Sequence, residues 1–201
     1  MEPDTQPMKR WGTWQLFSFG IAGILLLLSA VPAARSQDTE PSEYKLKAAF
    51  LYNFAKFVDW PESSVANPES AFAVCVLGKD PFGQLLDDTL LNKKIADRRV
   101  VVERLKDKSE ARRCQMVFVS AAEGPNLPAI LDATKGASVL LVGDTPDFAA
   151  SGGTIEFTLE DGRIRFIINT DAADRAKLRV DSKLLALAKI VHDEVHSPKG
   201  G

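Results

Sequence analysis

"AFAVCVLGKDPFGQLLDDTL", residues 71–90, opens with an uncharged apolar run and closes with a polar-faced one, and the six residues between them are turn formers. The first part, AFAVCVLG (71–78), is short and bounded by turn residues, as a strand buried on both faces should be. DPFGQLLDDTL then reads as a helix, with Asp80 as N-cap and Pro81 at the first helical position. The same alternation continues downstream. RVVVERL (99–105) reads as a strand, DKSEARR (107–113) as a short helix, CQMVFVS (114–120) as a strand, NLPAILDAT (126–134) as a helix and SVLLVGD (138–144) as a fourth buried strand. Strand and helix alternating at this interval imply right-handed crossovers, hence an α/β three-layer sandwich with a mostly parallel sheet and flanking helices.

After Asp144 the rhythm changes. GTIEFTLEDGRIRFIIN (153–169) alternates apolar and polar residues around Asp161-Gly162, which predicts a C-terminal β-hairpin. DAADRAKL (171–178) reads as helical, and a last helix is expected from Ser182 to about Val195, with Leu184, Leu187, Ala188 and Val191 as its core stripe. HSPKGG (196–201) reads as a flexible tail.

Upstream of the sheet lies EYKLKAAFLYNFAKFVDWP (43–61). Helical spacing puts Leu46, Phe50, Phe54 and Phe57 on one stripe and Tyr44, Ala48, Leu51, Ala55 and Val58 on the opposite side, with Trp60-Pro61 as the stop. A helix apolar over most of its circumference is sandwiched within a domain or shared with a partner. The expectation is that Phe50, Phe54 and Phe57 sit on the sheet, while the side bearing Tyr52 and Lys56 is free to bind a partner.

The N-terminal region has its own pattern. Lys9-Arg10 precede the uncharged run Leu16 to Val31, and small residues follow, as in a secretory signal peptide cleaved between Ala33 and Gln37. An uncleaved inner-membrane anchor is the competing reading, because the run approaches the roughly 17 residues that can span a bilayer. Residues 1–36 are therefore read as signal peptide, 37–42 as a polar leader and 43–195 as one domain. Of the chain's 27 acids and 25 bases, residues 1–36 hold two (Glu2, Asp4) and three (Lys9, Arg10, Arg35), so 25 and 22 remain, a net charge of −3. Mild acidity with no basic cluster argues against a nucleic-acid partner.

Motifs for catalysis fall short. Gly78 to Gly83 has the spacing of a phosphate loop, but Gln84 stands where its lysine would be and Asp80 puts a carboxylate at the phosphate position. His192 and His196 are the only histidines; HDEVH has Asp193 where a zinc helix needs Glu, so a solvated helix end is the plainer reading. Ser151-Gly152-Gly153 is no nucleophile elbow, and Asp87-Asp88 and Glu160-Asp161 are adjacent pairs that diverge. No cofactor or metal site is expected, and the chain reads as non-enzymatic. Cys75 and Cys114 lie on strands that could be neighbours; export and an even count favour a disulfide, the alternative being two buried thiols.

AAFLYNFAKFVDWP, CVLGKDPFG, the Cys-x-x-V-F-V-S strand, VGDTPDFAASGGTIEF and NTDAADRAKLRVDSKLLALAKIV occur in order, and in this the chain resembles the YfiR-like family across about residues 43–192. The resemblance implies a periplasmic repressor without catalysis, which binds the sensor domain of an inner-membrane diguanylate cyclase and so lowers cyclic di-GMP and biofilm formation. It also admits an outer-membrane-associated releasing protein and a homodimer. Cys75 and Cys114 match one cysteine pair of the family, while residues 144–157 lack the second pair that some members carry around the Gly-Gly turn. That departure leaves redox switching tied to the missing bridge, and the identity of the partner, outside what the resemblance implies. The alternative function is a small-ligand-binding envelope module, with its pocket at the strand ends near Gly78, Ser120 and Asp144.

Overall fold

The computed structural model describes residues 39–65 and 70–193. In order, its elements are α1 (Thr39–Lys56), β1 (Val58–Asp59), α2 (Glu62–Val65), β2 (Phe72–Leu77), α3 (Gln84–Leu90), β3 (Lys94–Ile95), β4 (Arg98–Leu105), β5 (Met116–Val119), α4 (Leu127–Thr134) and β6 (Leu140–Gly143). There follow β7 (Ile155–Glu160), β8 (Arg163–Asn169), α5 (Thr170–Arg175), β9 (Arg179–Val180), α6 (Ser182–Leu185) and β10 (Lys189–Val191), with short 3-10 helices at Lys108–Arg113 and Ala121–Asn126. The signal peptide expected over 1–36 and the tail expected over 196–201 lie outside the described residues.

β2 shows why the run 71–78 carries no polar side chain: all six of its residues are buried, because both faces of the sheet are covered. Phe72, Val74 and Val76 join the core beneath α1 and α3. Ala73, Cys75 and Leu77 join a second core on the other face, with Ala111 of a 3-10 helix and Leu127 and Ile130 of α4. Eight strands share the sheet in the order β10-β8-β7-β6-β5-β2-β4-β3. Pairing is parallel except for β7 with β8 and β3 with β4. The expected α/β sandwich with a mostly parallel sheet is therefore the observed one, and β1 and β9 form a separate antiparallel pair.

The hairpin is where the alternation placed it. Glu160 pairs with Arg163, and Asp161 (φ 50°) and Gly162 (φ 70°) both take the left-handed conformation that a two-residue hairpin turn of this hand requires. On its inner face Phe157 and Phe166 receive α1: the Phe54 ring lies 5.4 Å from Phe157 and 5.1 Å from Phe166, and Phe50 lies 6.1 and 5.7 Å from the same two. The other side of α1 is covered as well, since Ala48, Leu51 and Ala55 are fully buried in the same core as Leu86 and Leu90 of α3. The helix is thus sandwiched within the domain. Its phenylalanine stripe is uneven, for Leu46 remains 48% exposed at one end and Phe57 is half-buried at the other.

Four local expectations need correction. α1 begins at Thr39, inside the segment read as a polar leader, and ends at Lys56 rather than at Trp60. The Trp60 indole instead donates to the Ala55 carbonyl at 2.9 Å, satisfying one of the free carbonyls of the helix end. Asp80 does not cap α3; its carboxylate accepts from the Phe82 N–H at 2.8 Å, a local turn, and the helix starts three residues later than Pro81 suggests, at Gln84. The last helix stops at Leu185, and residues 189–191 form an edge strand parallel to β8, Ile190 opposite Ile168. Leu187 is accordingly 70% exposed, so the stripe of Leu184, Leu187, Ala188 and Val191 never forms. The free edge of β8 and the β-branched pair Ile190-Val191 outweigh helical periodicity here.

Cys75 and Cys114 form a disulfide within the second core, with Cα atoms 6.2 Å apart, as export and even count favoured. It ties β2 to the start of β5 across a separation of 39 residues, and such a closure contributes about 2–5 kcal/mol. Alkylation of denatured, unreduced protein should therefore find no free thiol, and the double replacement Cys75→Ala/Cys114→Ala should lower unfolding free energy by that amount; two alkylated thiols would contradict the bridge. Phe54→Ala should cost about 3–5 kcal/mol in denaturant unfolding, since it empties the ring cluster joining α1 to the hairpin.

Candidate functional site

The sheet order reverses at β2, with β4 on one side and β5 on the other. Ligands of open α/β sheets bind at such a reversal, beyond the C-terminal ends of the strands. Here those ends carry Gly78 and Ser120, with Asp144 beyond β6. The crevice is filled by the chain itself. A Cβ on Gly78 (φ +90°) would stand 2.5 Å from Ser120 Oγ and 2.6 Å from Glu123 Cγ, so only glycine fits. Asp144 is covered by α1: Lys47 Nζ lies 2.8 Å and the Tyr44 hydroxyl 2.9 Å from its Oδ2. Glu43 completes the chain of charge at 2.6 Å from Lys47 Nζ. The Lys47 and Asp144 side chains are both nearly fully buried, and removing Lys47 would strand the Asp144 carboxylate at a cost of about 3–5 kcal/mol, whereas removing Asp144 leaves Lys47 paired with Glu43. The ligand pocket expected near Gly78, Ser120 and Asp144 is therefore replaced by an internal bolt between α1 and the sheet. An open cavity of about 510 Å³ does exist between α4 and α5, with Leu131, Val139 and Leu141 toward the sheet and Arg175 at its side.

The outward side of α1 carries Tyr52, half-buried, and Lys56, exposed. The fold adds a third residue that sequence reading missed. Lys93, from the turn after α3, places its Nζ 5.5 Å from the Tyr52 ring centroid, and Lys56 Nζ lies 5.6 Å from it. Each exposed cation on an aromatic face contributes about 0.5–1 kcal/mol. Two lysines on one ring make Tyr52 the centre of a small basic surface. No local signal ties Lys93 to Tyr52, because the link depends on α3 packing against α1.

Other charged groups have structural duties. Arg98 is buried and donates to the carbonyls of Ser64, Ser70 and Ala71 and to Ser70 Oγ, tying α2 to the residues just before β2; burial pushes its guanidinium pKa down. The Arg104 guanidinium beside Asp87 holds that carboxyl below the usual carboxylate range, and Arg104 also bonds Asp80 at 3.0 Å. Asp80 thus faces an arginine, not a phosphate. His192 lies just past β10, not at a helix end, with Nδ1 3.0 Å from both Asp171 Oδ1 and Thr170 Oγ1. Asp193 is held by Arg175 and by Asn169 Nδ2, so these groups clasp the edge strand to α5. His196 lies outside the described residues, and among those described no three His, Cys, Asp or Glu side chains converge.

The cysteine-free loop 144–157 is closed by other means. The Ala149 N–H donates to Glu156 Oε2 at 3.0 Å, and Asn169 Nδ2 donates to the Ala149 carbonyl at 2.8 Å. Phe148 lies beneath the Gly-Gly turn, where a Cβ on Gly153 would come within 2.1 Å of its ring. Packing and hydrogen bonds here hold a loop without any redox-sensitive link.

A family model described as DUF4154, YfiR/HmsC-like, matches residues 44–189, which takes in most of α1, the sheet up to the start of β10 and both cysteines. Among curated proteins none matches the chain. Among solved structures, a conserved domain protein from Vibrio cholerae O1 biovar El Tor is similar at TM-score 0.49 and 9% identity, covering 73% of this chain and 59% of that one. The ABC domain in complex with L-Trp from Streptococcus pneumonia is similar at TM-score 0.45 and 9% identity, covering 59% of this chain and 55% of that one. This chain therefore spans less than two thirds of either protein's length, and at these scores neither likeness bears on function. No described helix is long and apolar enough to cross a membrane. On the match across its α/β domain, the chain belongs to the YfiR/HmsC-like family, whose members are periplasmic regulators of cyclic di-GMP signalling.

Proposed function

We propose that this protein is exported to the periplasm, binds the sensor domain of an inner-membrane diguanylate cyclase and represses it, lowering cyclic di-GMP and biofilm formation. The observation that carries this reading is the family match over residues 44–189. The chemistry agrees with it. The reversal crevice is filled by Gly78, Ser120 and Glu123, Lys47 and Asp144 close the end of β6, and Asp87, Asp88, Glu160 and Asp161 are paired with arginine or turned to solvent, so regulation comes from binding one state of a partner better than another. The surface assigned to that contact is the outer side of α1, with Tyr52 and Lys56. A releasing protein of the outer membrane and a homodimer remain further proposals of the same kind. The small-ligand alternative has one observation in its favour, the cavity of about 510 Å³, which lies away from the strand ends where that reading put it.

Export predicts a native N-terminus between Ala34 and Asp38, readable by mass spectrometry of protein from the envelope; an intact Met1 in the membrane fraction would favour the anchor instead. Repression predicts that deleting the protein raises cyclic di-GMP and that deleting the cyclase as well abolishes the rise. Lys56→Glu should weaken repression while moving stability by only about 0.5 kcal/mol, since the side chain is exposed. Unchanged cyclic di-GMP in the clean deletion would defeat the repressor reading.

A further inference from the structure

β4 is paired with β2 over Val100–Leu105, but its other edge is covered only at one end. β3 meets it at Arg98 and Arg99, and the Val100 N–H donates outward to the Lys93 carbonyl at 2.9 Å. Residues 101–105 have no strand partner on that side among the described residues. Because backbone groups alternate along a strand, the outward direction of the Val100 N–H sets those of Val102 and Arg104 the same way. An open groove of about 640 Å³ follows the Arg99–Val102 part of this edge, bordered by Asp87, Leu91, Lys93, Lys94, Val100 and Val102. Leu91 is 67% exposed on its border. Unpaired edges of this kind accept another strand unless they are blocked, and neither proline nor a bulge blocks residues 101–105.

The charge around the groove says what kind of strand fits. Lys93, Lys94 and Arg99 are exposed, and Lys56 joins Lys93 on the Tyr52 ring. None of these four cations has an ion-pair partner among the described residues. Two acids beside the edge are already engaged, Asp87 by Arg104 and Glu103 by Arg113 at 2.7 Å. A second copy of this chain would bring the same four cations against these, which disfavours symmetric edge pairing.

We propose that the free edge of β4 is a docking site for an extended segment of a partner protein, one that alternates apolar residues with aspartate or glutamate. The segment would add a strand beside residues 101–105, with its acids against Lys93, Lys94 and Arg99 and its apolar side chains over Leu91, Val100 and Val102. Lys93, Lys94 and Arg99 lie within the seven residues KKIADRR (93–99), a local basic signal that the sequence reading passed over; Lys56 joins them only through the fold. The inference rests on the proposed function only in taking the molecule as a protein-binding regulator, and it names the chemistry of the partner segment.

The test uses the mature protein and a fluorescein-labelled peptide alternating valine and glutamate, followed by fluorescence anisotropy. Saturable binding is expected, and it should weaken about tenfold or more in Lys93→Glu/Lys94→Glu, which alters exposed side chains only. Val102→Pro should weaken it similarly, because it removes an outward N–H and leaves the β2 ladder intact; circular dichroism confirms that the variant is folded. Peptide binding unaffected by both variants would overturn the proposal. So would equal affinity for an oligodeoxynucleotide, which would make the surface a general polyanion patch, or a dimer in solution that Val102→Pro dissociates, which would assign the edge to a second copy. Failure here is separable from failure of the repressor reading: that reading falls if deletion leaves cyclic di-GMP unchanged, whereas full repression by Lys93→Glu/Lys94→Glu would reject the docking site and leave the repressor.

Discussion

The packing of Phe54 of α1 between Phe157 and Phe166 of the hairpin is the contact on which the rest of the structure depends. It joins the first described helix to strands about a hundred residues later, so the chain must close a long loop to make it, and burial of several aromatic rings supplies the driving force. Once that contact is made, the orientation of α1 is fixed. Ala48, Leu51 and Ala55 turn toward α3, Lys47 turns down onto Asp144, and what remains outward is the side bearing Tyr52 and Lys56. The surface given a functional role is therefore a consequence of core packing on the opposite side of the same helix.

A second consequence concerns chemistry. α1 lies on one face of the sheet, and its Tyr44 and Lys47 reach the C-terminal end of β6, beside the place where an α/β fold with this strand order ordinarily holds a small molecule. Lys47 and Asp144 occupy that strand end with opposite charges, and Gly78, Ser120 and Glu123 occupy the adjoining crevice by close contact. A fold suited to catalysis or nucleotide binding is thus closed at its usual site, while the edge strand and the helix surface remain open. This division fits a molecule whose output is association.

What could be read from the sequence followed from the range of the interactions involved. The two-sided burial of Phe72–Leu77 and the Asp161-Gly162 turn are written in contiguous residues, so strand and hairpin were both legible. β10 was not, because Lys189–Val191 is extended only on account of the free edge of β8, some twenty residues away. Arg98 looks like one more charged residue beside Arg99; its burial reflects carbonyls of Ser64, Ser70 and Ala71 that no local pattern reveals. Lys47 could have been suspected from Glu43 one turn earlier, yet its partner Asp144 lies 97 residues away. Tyr52 and Lys56 were legible as an outward face, whereas Lys93 joined them only through tertiary packing.

Binding is the central claim, and hydrogen–deuterium exchange of the mature protein with and without the purified periplasmic domain of the cognate cyclase tests it most directly. The account predicts partner-dependent protection of the outward amides of Val102 and Arg104, at the free edge of β4, and of residues 91–94 beside it. α1 is already hydrogen-bonded and should change little. No protection anywhere, or protection confined to the cavity between α4 and α5, would contradict it.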